Sequence, residues 1–225
     1  MKIFLDTANT EEVQKYFQTG LVDGVTTNPS LIRKSGRNPE DVYQELIDIG
    51  VRDISMEVVG DSTVMYDEGL RLAEKFGESA TIKVPCTPDG LQVCRHLSVA
   101  NDIKTNVTLV FSVAQAVMAM KAGATYISPF VGRCNDNSFS GVELVRAIAT
   151  CRSVHGKKTQ VLAASLRDAH HVSRCFMYGA DVVTMPSKVF DAMYDSVLTR
   201  EGLAIFQSDY EASLEALNTP EVTVF

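Results

Sequence analysis

No CxxC pair occurs in this sequence, whose five cysteines are scattered at positions 86, 94, 134, 151 and 175. That spacing argues against a zinc site or a disulfide frame and points to free thiols in a reducing cytoplasm. Long apolar runs are missing too. Nothing approaches the roughly 18 consecutive apolar residues of a membrane span. The N-terminal MKIFLDTANTEE turns acidic after a three-residue apolar run, unlike a signal peptide. Basic charge is in deficit: 21 Lys and Arg against 28 Asp and Glu leave a net charge of −7. Nucleic-acid binding, which needs a basic stripe, is not expected, whereas a small anion held by one or two arginines is compatible. Neither GxGxxG nor a P-loop is present. No metal site is expected, because the adjacent His170 and His171 point about 100° apart on a helix and do not converge on one ion.

What is present is one unit repeated. β-Branched runs recur as KIFLD from 2, GVTTN from 24, DISMEVV from 53, ATIKVP from 80, IKTNVTLV from 103, TYISPFV from 125, TQVLAAS from 159 and ADVVTMP from 180. Segments of helical periodicity separate them, such as STVMYDEGLRLAEKFG, with Met65, Leu72 and Phe76 on one face around Gly69, Ser62 as the expected N-cap and Gly77 as the stop. Strands alternating with helices of this length indicate an α/β protein with a parallel sheet. Eight units without a linker indicate a single (β/α)8 barrel over residues 1–198. The rival, an open doubly wound sheet, usually carries a glycine-rich loop after its first strand, and DTANTEE has no glycine. Residues 199–225 add a C-terminal helix and tail, with Leu203, Phe206, Tyr210, Leu214 and Leu217 on one stripe that needs cover from its own barrel or from a neighbour.

Alternation along each strand divides barrel interior from helix-facing exterior. Ile82 and Val84 suit the helix layer, so Lys83 points inward. The same parity sends Phe4 and Asp6, Thr26 and Asn28, Ser55 and Glu57, Asn106 and Thr108, and Ser128 and Phe130 inward. It assigns Val107, Leu109, Leu162 and Ala164 to the exterior, with Ser165 inside. A purely structural barrel fills its layers with Val, Ile and Leu; polar inward residues near the C-terminal ends of strand after strand describe a site, where such barrels hold theirs.

An interior lysine among carboxylates and amides has three readings: a structural ion pair with Glu57 or Asp6, a point-charge ligand for phosphate, or a Schiff-base nucleophile. Schiff-base chemistry needs proton shuttles, which Glu57 and Asp6 can supply, while Asn106 and Thr108 can hold a water or substrate hydroxyls. An ion pair explains Lys83 with one carboxylate and leaves the second unexplained. Arg133 and Arg167 follow strands 6 and 7 at the mouth, and guanidinium forks there suit a phosphosugar.

The stretches FLDTAN, GVTTNPSL, MEVV, IKVPCTPDGL, KTNVTLVFS, GATYISPFVGR, VLAAS with its following arginine, and TMPSKV resemble the small single-domain transaldolases, the subfamily that also contains fructose-6-phosphate aldolase. The resemblance implies a cofactor-free barrel that moves a dihydroxyacetone unit between sugar phosphates through a lysine Schiff base. Matched by motif, it implies Lys83 as the Schiff-base lysine and Asp6 and Glu57 as acid–base residues. It further implies Asn28, Asn106, Thr108, Ser128 and Phe130 as substrate and water contacts, and Arg133, Ser165 and Arg167 as the phosphate site. The aldolase branch is similar but has glutamine in place of Glu57 and tyrosine in place of Phe130, which implies the transaldolase branch here. GRCNDNSFSG and VVGDST depart from the usual pattern near the mouth. The resemblance also implies a homo-oligomer, a pentamer or decamer, in which the C-terminal helix reaches a neighbour.

Overall fold

The computed structural model describes residues 1–218. Two compact units divide the chain, Met1–Phe190 and a second beginning at Asp191. In the first, β1 (Lys2–Asp6), β2 (Gly24–Thr26), β3 (Ile54–Glu57), β4 (Ala80–Pro85), β5 (Thr105–Val110), β6 (Tyr126–Pro129), β7 (Gln160–Ala163) and β8 (Val182–Met185) close in sequence order into a parallel barrel. Helices fill each crossover: α1 (Thr10–Phe17), α2 (Pro29–Ser35), α3 (Pro39–Ile49), α4 (Ser62–Phe76), α5 (Pro88–Arg95), α6 (Val113–Ala122), α7 (Val131–Asp136), α8 (Gly141–Val154) and α9 (Ala169–Met177). α10 (Ser187–Ala192) follows β8. This is a (β/α)8 barrel. In the second unit, α11 (Val197–Asn218) carries Leu203, Phe206, Tyr210, Leu214 and Leu217, all exposed. No helix among the described residues is long and apolar enough to cross a membrane.

Strand alternation builds two apolar layers. Leu5, Val25, Ile54, Met56, Ile82, Val84, Val107 and Ile127 join the helices in one continuous core. Inside the barrel, Phe4, Tyr126, Leu162, Ala164 and Val182 form a separate plug, with the Phe4 and Tyr126 rings edge to face at 6.2 Å. Tyr126 donates to Asp53 Oδ2 at 2.7 Å and Thr81 donates to Oδ1 at 2.8 Å, so the carboxylate beside the plug is satisfied. Burial, reinforced by Asp53, raises the Tyr126 phenol above its ordinary range. Gly24 is a steric requirement: a Cβ there would stand 2.6 Å from the Asp53 carbonyl and 2.7 Å from the Phe4 ring.

Three expectations are corrected. In β7, Leu162 and Ala164 face the barrel interior, while Val161 and Ala163 join the helix layer. Counting back from Ser165 misleads because Ser165 has a left-handed backbone (φ 58°) that breaks the alternation. In β5, Leu109 is also left-handed (φ 59°), at a register shift between Val107 and Val110. That bulge removes Leu109 from the helix layer and puts Val110 there instead. Finally, Asp61, not Ser62, caps α4, accepting from the Val64 N–H, and Gly77 ends it as expected.

Candidate active site

The site grows from strand register. β3, β4 and β5 place Glu57, Lys83 and Asn106 side by side, and Thr108 lies two residues further, opposite Pro85. Lys83 is only 5% exposed. Its Nζ donates to the Thr27 carbonyl at 2.9 Å and pairs with Glu57 Oε2 at 2.9 Å. An ammonium has three N–H bonds, so one tetrahedral position remains, and Lys83 borders a central cavity of about 130 Å³. If the amine is neutral, its lone pair takes that position while the other two hydrogen bonds persist.

Asp6 stands on the same cavity. Thr26 donates to its Oδ1 at 2.7 Å, and Thr184 lies 2.7 Å from the Thr26 oxygen. Because the Thr26 proton goes to Asp6, Thr184 is the donor in the second contact, and a relay Thr184→Thr26→Asp6 results. Burial pushes the Asp6 carboxyl above the usual carboxylate range; Lys83 and the Thr26 bond oppose this, and Glu57 adds to it. Among the described residues, Asp6 alone is shared with a larger groove of about 710 Å³ between the β1–α1 loop, α2 and the β8–α10 turn.

On the opposite wall Asn106 donates to Ser55 Oγ at 3.1 Å and accepts from Ser128 at 2.7 Å, which fixes its amide. Thr108 Oγ1 is buried with no protein partner and borders the cavity. Such a hydroxyl is costly unless a water or a ligand hydroxyl meets it. Asn28 caps α2 by accepting from the Leu31 N–H at 3.0 Å, which leaves its NH₂ free to donate. Phe130 contributes an apolar wall, its ring 5.9 Å from Phe111 and 5.1 Å from the Arg133 guanidinium. Parallel pairing continues past β6 and β7: the Gly132 N–H donates to the Ser165 carbonyl at 3.0 Å, holding Ser165 beside Arg133 on the cavity wall.

Asp6, Asn28, Lys83, Asn106, Thr108, Ser128, Phe130, Arg133 and Ser165 thus share one cavity, as their positions in the sequence suggested. Glu57 reaches it through Lys83 and borders a separate groove near Tyr43. Arg167 is off the cavity wall; its fork engages Asp136 with two bonds of 2.6 Å. Sequence reasoning passed over Thr184 and placed Ala164 on the exterior, yet both are on the wall. The outward Val183 and Met185 were the available signal for Thr184. Among the described residues, no three His, Cys, Asp or Glu side chains are grouped as metal ligands.

Comparison with known proteins decides the family. The profile described as Transaldolase/Fructose-6-phosphate aldolase matches residues 3–223. The chain belongs to the transaldolase/fructose-6-phosphate aldolase family. Its relatives include a probable transaldolase of Nitrosopumilus maritimus, 47% identical over 94% of this chain and 95% of that protein. A probable transaldolase of Caulobacter vibrioides is 45% identical over 96% of this chain and all of its own length. One from Aquifex aeolicus is 45% identical over 94% and 97%. In this transaldolase-family chain, both groups bonded to Lys83 Nζ, the Thr27 carbonyl and Glu57, come from the barrel's own β2 and β3 ends. The nucleophile candidate is therefore held by strands rather than by a mobile loop.

Proposed function

We propose that the chain is a transaldolase that transfers a dihydroxyacetone unit from a ketose phosphate, fructose 6-phosphate or sedoheptulose 7-phosphate, to an aldose phosphate, glyceraldehyde 3-phosphate or erythrose 4-phosphate, as a step of the non-oxidative pentose phosphate pathway. The observation that carries the reading is Lys83 Nζ, buried, bonded to Glu57 and the Thr27 carbonyl, with its remaining position on the cavity that Asp6 shares. A lone structural pair needs one carboxylate; the second, with its threonine relay, suits proton transfer.

Glu57 takes the ammonium proton of Lys83, and the freed amine adds to the ketose C2 carbonyl, its extra proton passing to the new C2 oxygen. The carbinolamine then loses water as Glu57 delivers a proton to the departing oxygen, directly or through a water held with Thr108, leaving an iminium on Lys83. Asp6, ionised, takes the proton of the C4 hydroxyl. The C3–C4 bond breaks, its electron pair moves to the iminium nitrogen as an enamine, and an aldehyde leaves. The acceptor aldehyde reverses these steps. Asn28, Asn106 and Ser128 hold the hydroxyls of the three-carbon unit, while Arg133 and Ser165, with Arg167 nearby, serve the phosphate.

Phe130 favours transaldolase over the alternative, an aldolase that releases free dihydroxyacetone. The ring on the cavity wall has no proton to give the enamine. A non-catalytic sugar-phosphate barrel is a poorer fit, because such a protein needs neither carboxylate beside the lysine. The test is incubation with fructose 6-phosphate with and without erythrose 4-phosphate. Turnover that depends on the acceptor is expected; rapid glyceraldehyde 3-phosphate release without one would favour the aldolase. The five free thiols fit a cytoplasmic setting. The exposed stripe of α11 supports a homo-oligomer, and a solution mass of one 24.6 kDa chain would exclude it.

A further inference from the structure

The Arg167–Asp136 pair carries an inference that rests on the phosphosugar reading above and goes beyond it. Arg167 directs Nη1 and Nη2 at Asp136 Oδ1 and Oδ2, both at 2.6 Å, so its whole fork is occupied by a carboxylate. The bonds from Arg167, with a smaller contribution from Arg133, hold the Asp136 carboxyl below the usual carboxylate range. One internal anion therefore feels both guanidinium groups of the mouth. The remaining edge of Arg167 stays close to the cavity wall. A Cβ built on Gly132 would stand 2.8 Å from Arg167 Nε and 3.0 Å from Ser165 Oγ, so the two groups flank the same backbone point, one residue before Arg133. A phosphate held by Arg133 and Ser165 arrives beside Arg167 and finds its fork closed. Both members of the pair are about half exposed, 54% and 50%, which makes the bond exchangeable.

We propose that Asp136 is a specificity-determining residue: its carboxylate holds the Arg167 fork in place of a substrate phosphate, and a phosphorylated sugar binds by taking that fork over. A phosphate dianion presents the same two-oxygen face as a carboxylate with more charge. An unphosphorylated sugar leaves the pair closed and gains nothing from Arg167. Asp136 thereby weakens phosphosugar binding, and it prevents an open arginine at the mouth from recruiting other anions.

The test is Asp136→Asn, alone and combined with Arg167→Gln, in the full chain. For Asp136→Asn, KM for fructose 6-phosphate and the competitive inhibition constant of inorganic phosphate fall together, about two- to fivefold, the range of an exposed pair. The KM for unphosphorylated D-glyceraldehyde as acceptor stays put. With Arg167→Gln as background, Asp136→Asn no longer changes either phosphate-dependent constant. An unchanged or higher KM for fructose 6-phosphate in Asp136→Asn overturns the inference, because Asp136 then only braces Arg167 or has no part. A fall of equal size without Arg167 also overturns it, since that is a general charge effect. Failure of the underlying reading looks different: the unaltered protein would then show no saturable use of fructose 6-phosphate at all.

Discussion

Asp6→Asn separates the catalytic role proposed for Asp6 from its effect on stability. The substitution is nearly isosteric. The amide oxygen can still accept the 2.7 Å bond from Thr26, Lys83 keeps Glu57 and the Thr27 carbonyl at 2.9 Å each, and the new amide NH₂ stands at the cavity that residue 6 borders. What disappears is a carboxylate whose burial raises its pKa, against partial compensation from Lys83. A carboxyl with a folded pKa above its unfolded value binds more protons folded than unfolded between the two values. Stability from this group therefore falls as pH rises through that window, and the full penalty is present above the folded pKa. Asp6→Asn should be neutral in stability near pH 3, where both states of the native residue are protonated. At pH 7 it should be more stable by about 1 kcal/mol, the usual scale for relieving an active-site compromise. For a chain of this size that is about 2–4 °C in Tm. Transfer activity should fall about 10²–10⁴-fold, as for loss of a positioned acid–base group. Denaturant or thermal unfolding of both proteins at several pH values, alongside the transfer assay, reads this out. A variant less stable than the native protein at pH 7, or one whose advantage shrinks as pH rises from 4 to 7, would refute the reasoning.

Tyr126→Phe removes the hydroxyl that donates to Asp53 Oδ2 at 2.7 Å, leaving that oxygen with Lys104 at 4.0 Å. It should destabilise by about 1.5–3 kcal/mol in urea unfolding, the range for a bond to a charged group, with little change in kcat. Thr108→Val replaces a buried hydroxyl that has no protein partner. Stability should hold within about 1 kcal/mol while kcat falls at least about tenfold, and unchanged kcat would remove Thr108 from the mechanism.

The barrel and most of its interior were legible because alternation is a local property. Ile82–Lys83–Val84 shows that Lys83 differs from its neighbours, and in six of the seven strands given a parity the apolar residues around the polar ones follow the pleat or depart from it only at its end. The failures have backbone causes. Left-handed Ser165 and Leu109 break the pleat, and no residue type announces them, since neither is glycine or asparagine. Asp61 displaced Ser62 as the cap because both side chains can cap, and a one-residue difference at a helix end is below the resolution of pattern. Thr184 was overlooked because it sits in an otherwise apolar strand, VVTM, and its hydroxyl contacts Thr26, 158 residues away in the chain. The Arg167–Asp136 pair spans 31 residues and joins the last residue of α7 to the β7–α9 loop, so neither segment alone reveals it.

The central claim is that Lys83 forms the covalent bond to substrate. Borohydride reduction in the presence of fructose 6-phosphate, followed by mass measurement of the intact chain and peptide mapping, tests it directly. The account predicts a single stable adduct on the peptide containing Lys83 and none in Lys83→Ala. An adduct that persists in Lys83→Ala, or one that maps to another lysine in the native protein, would contradict it.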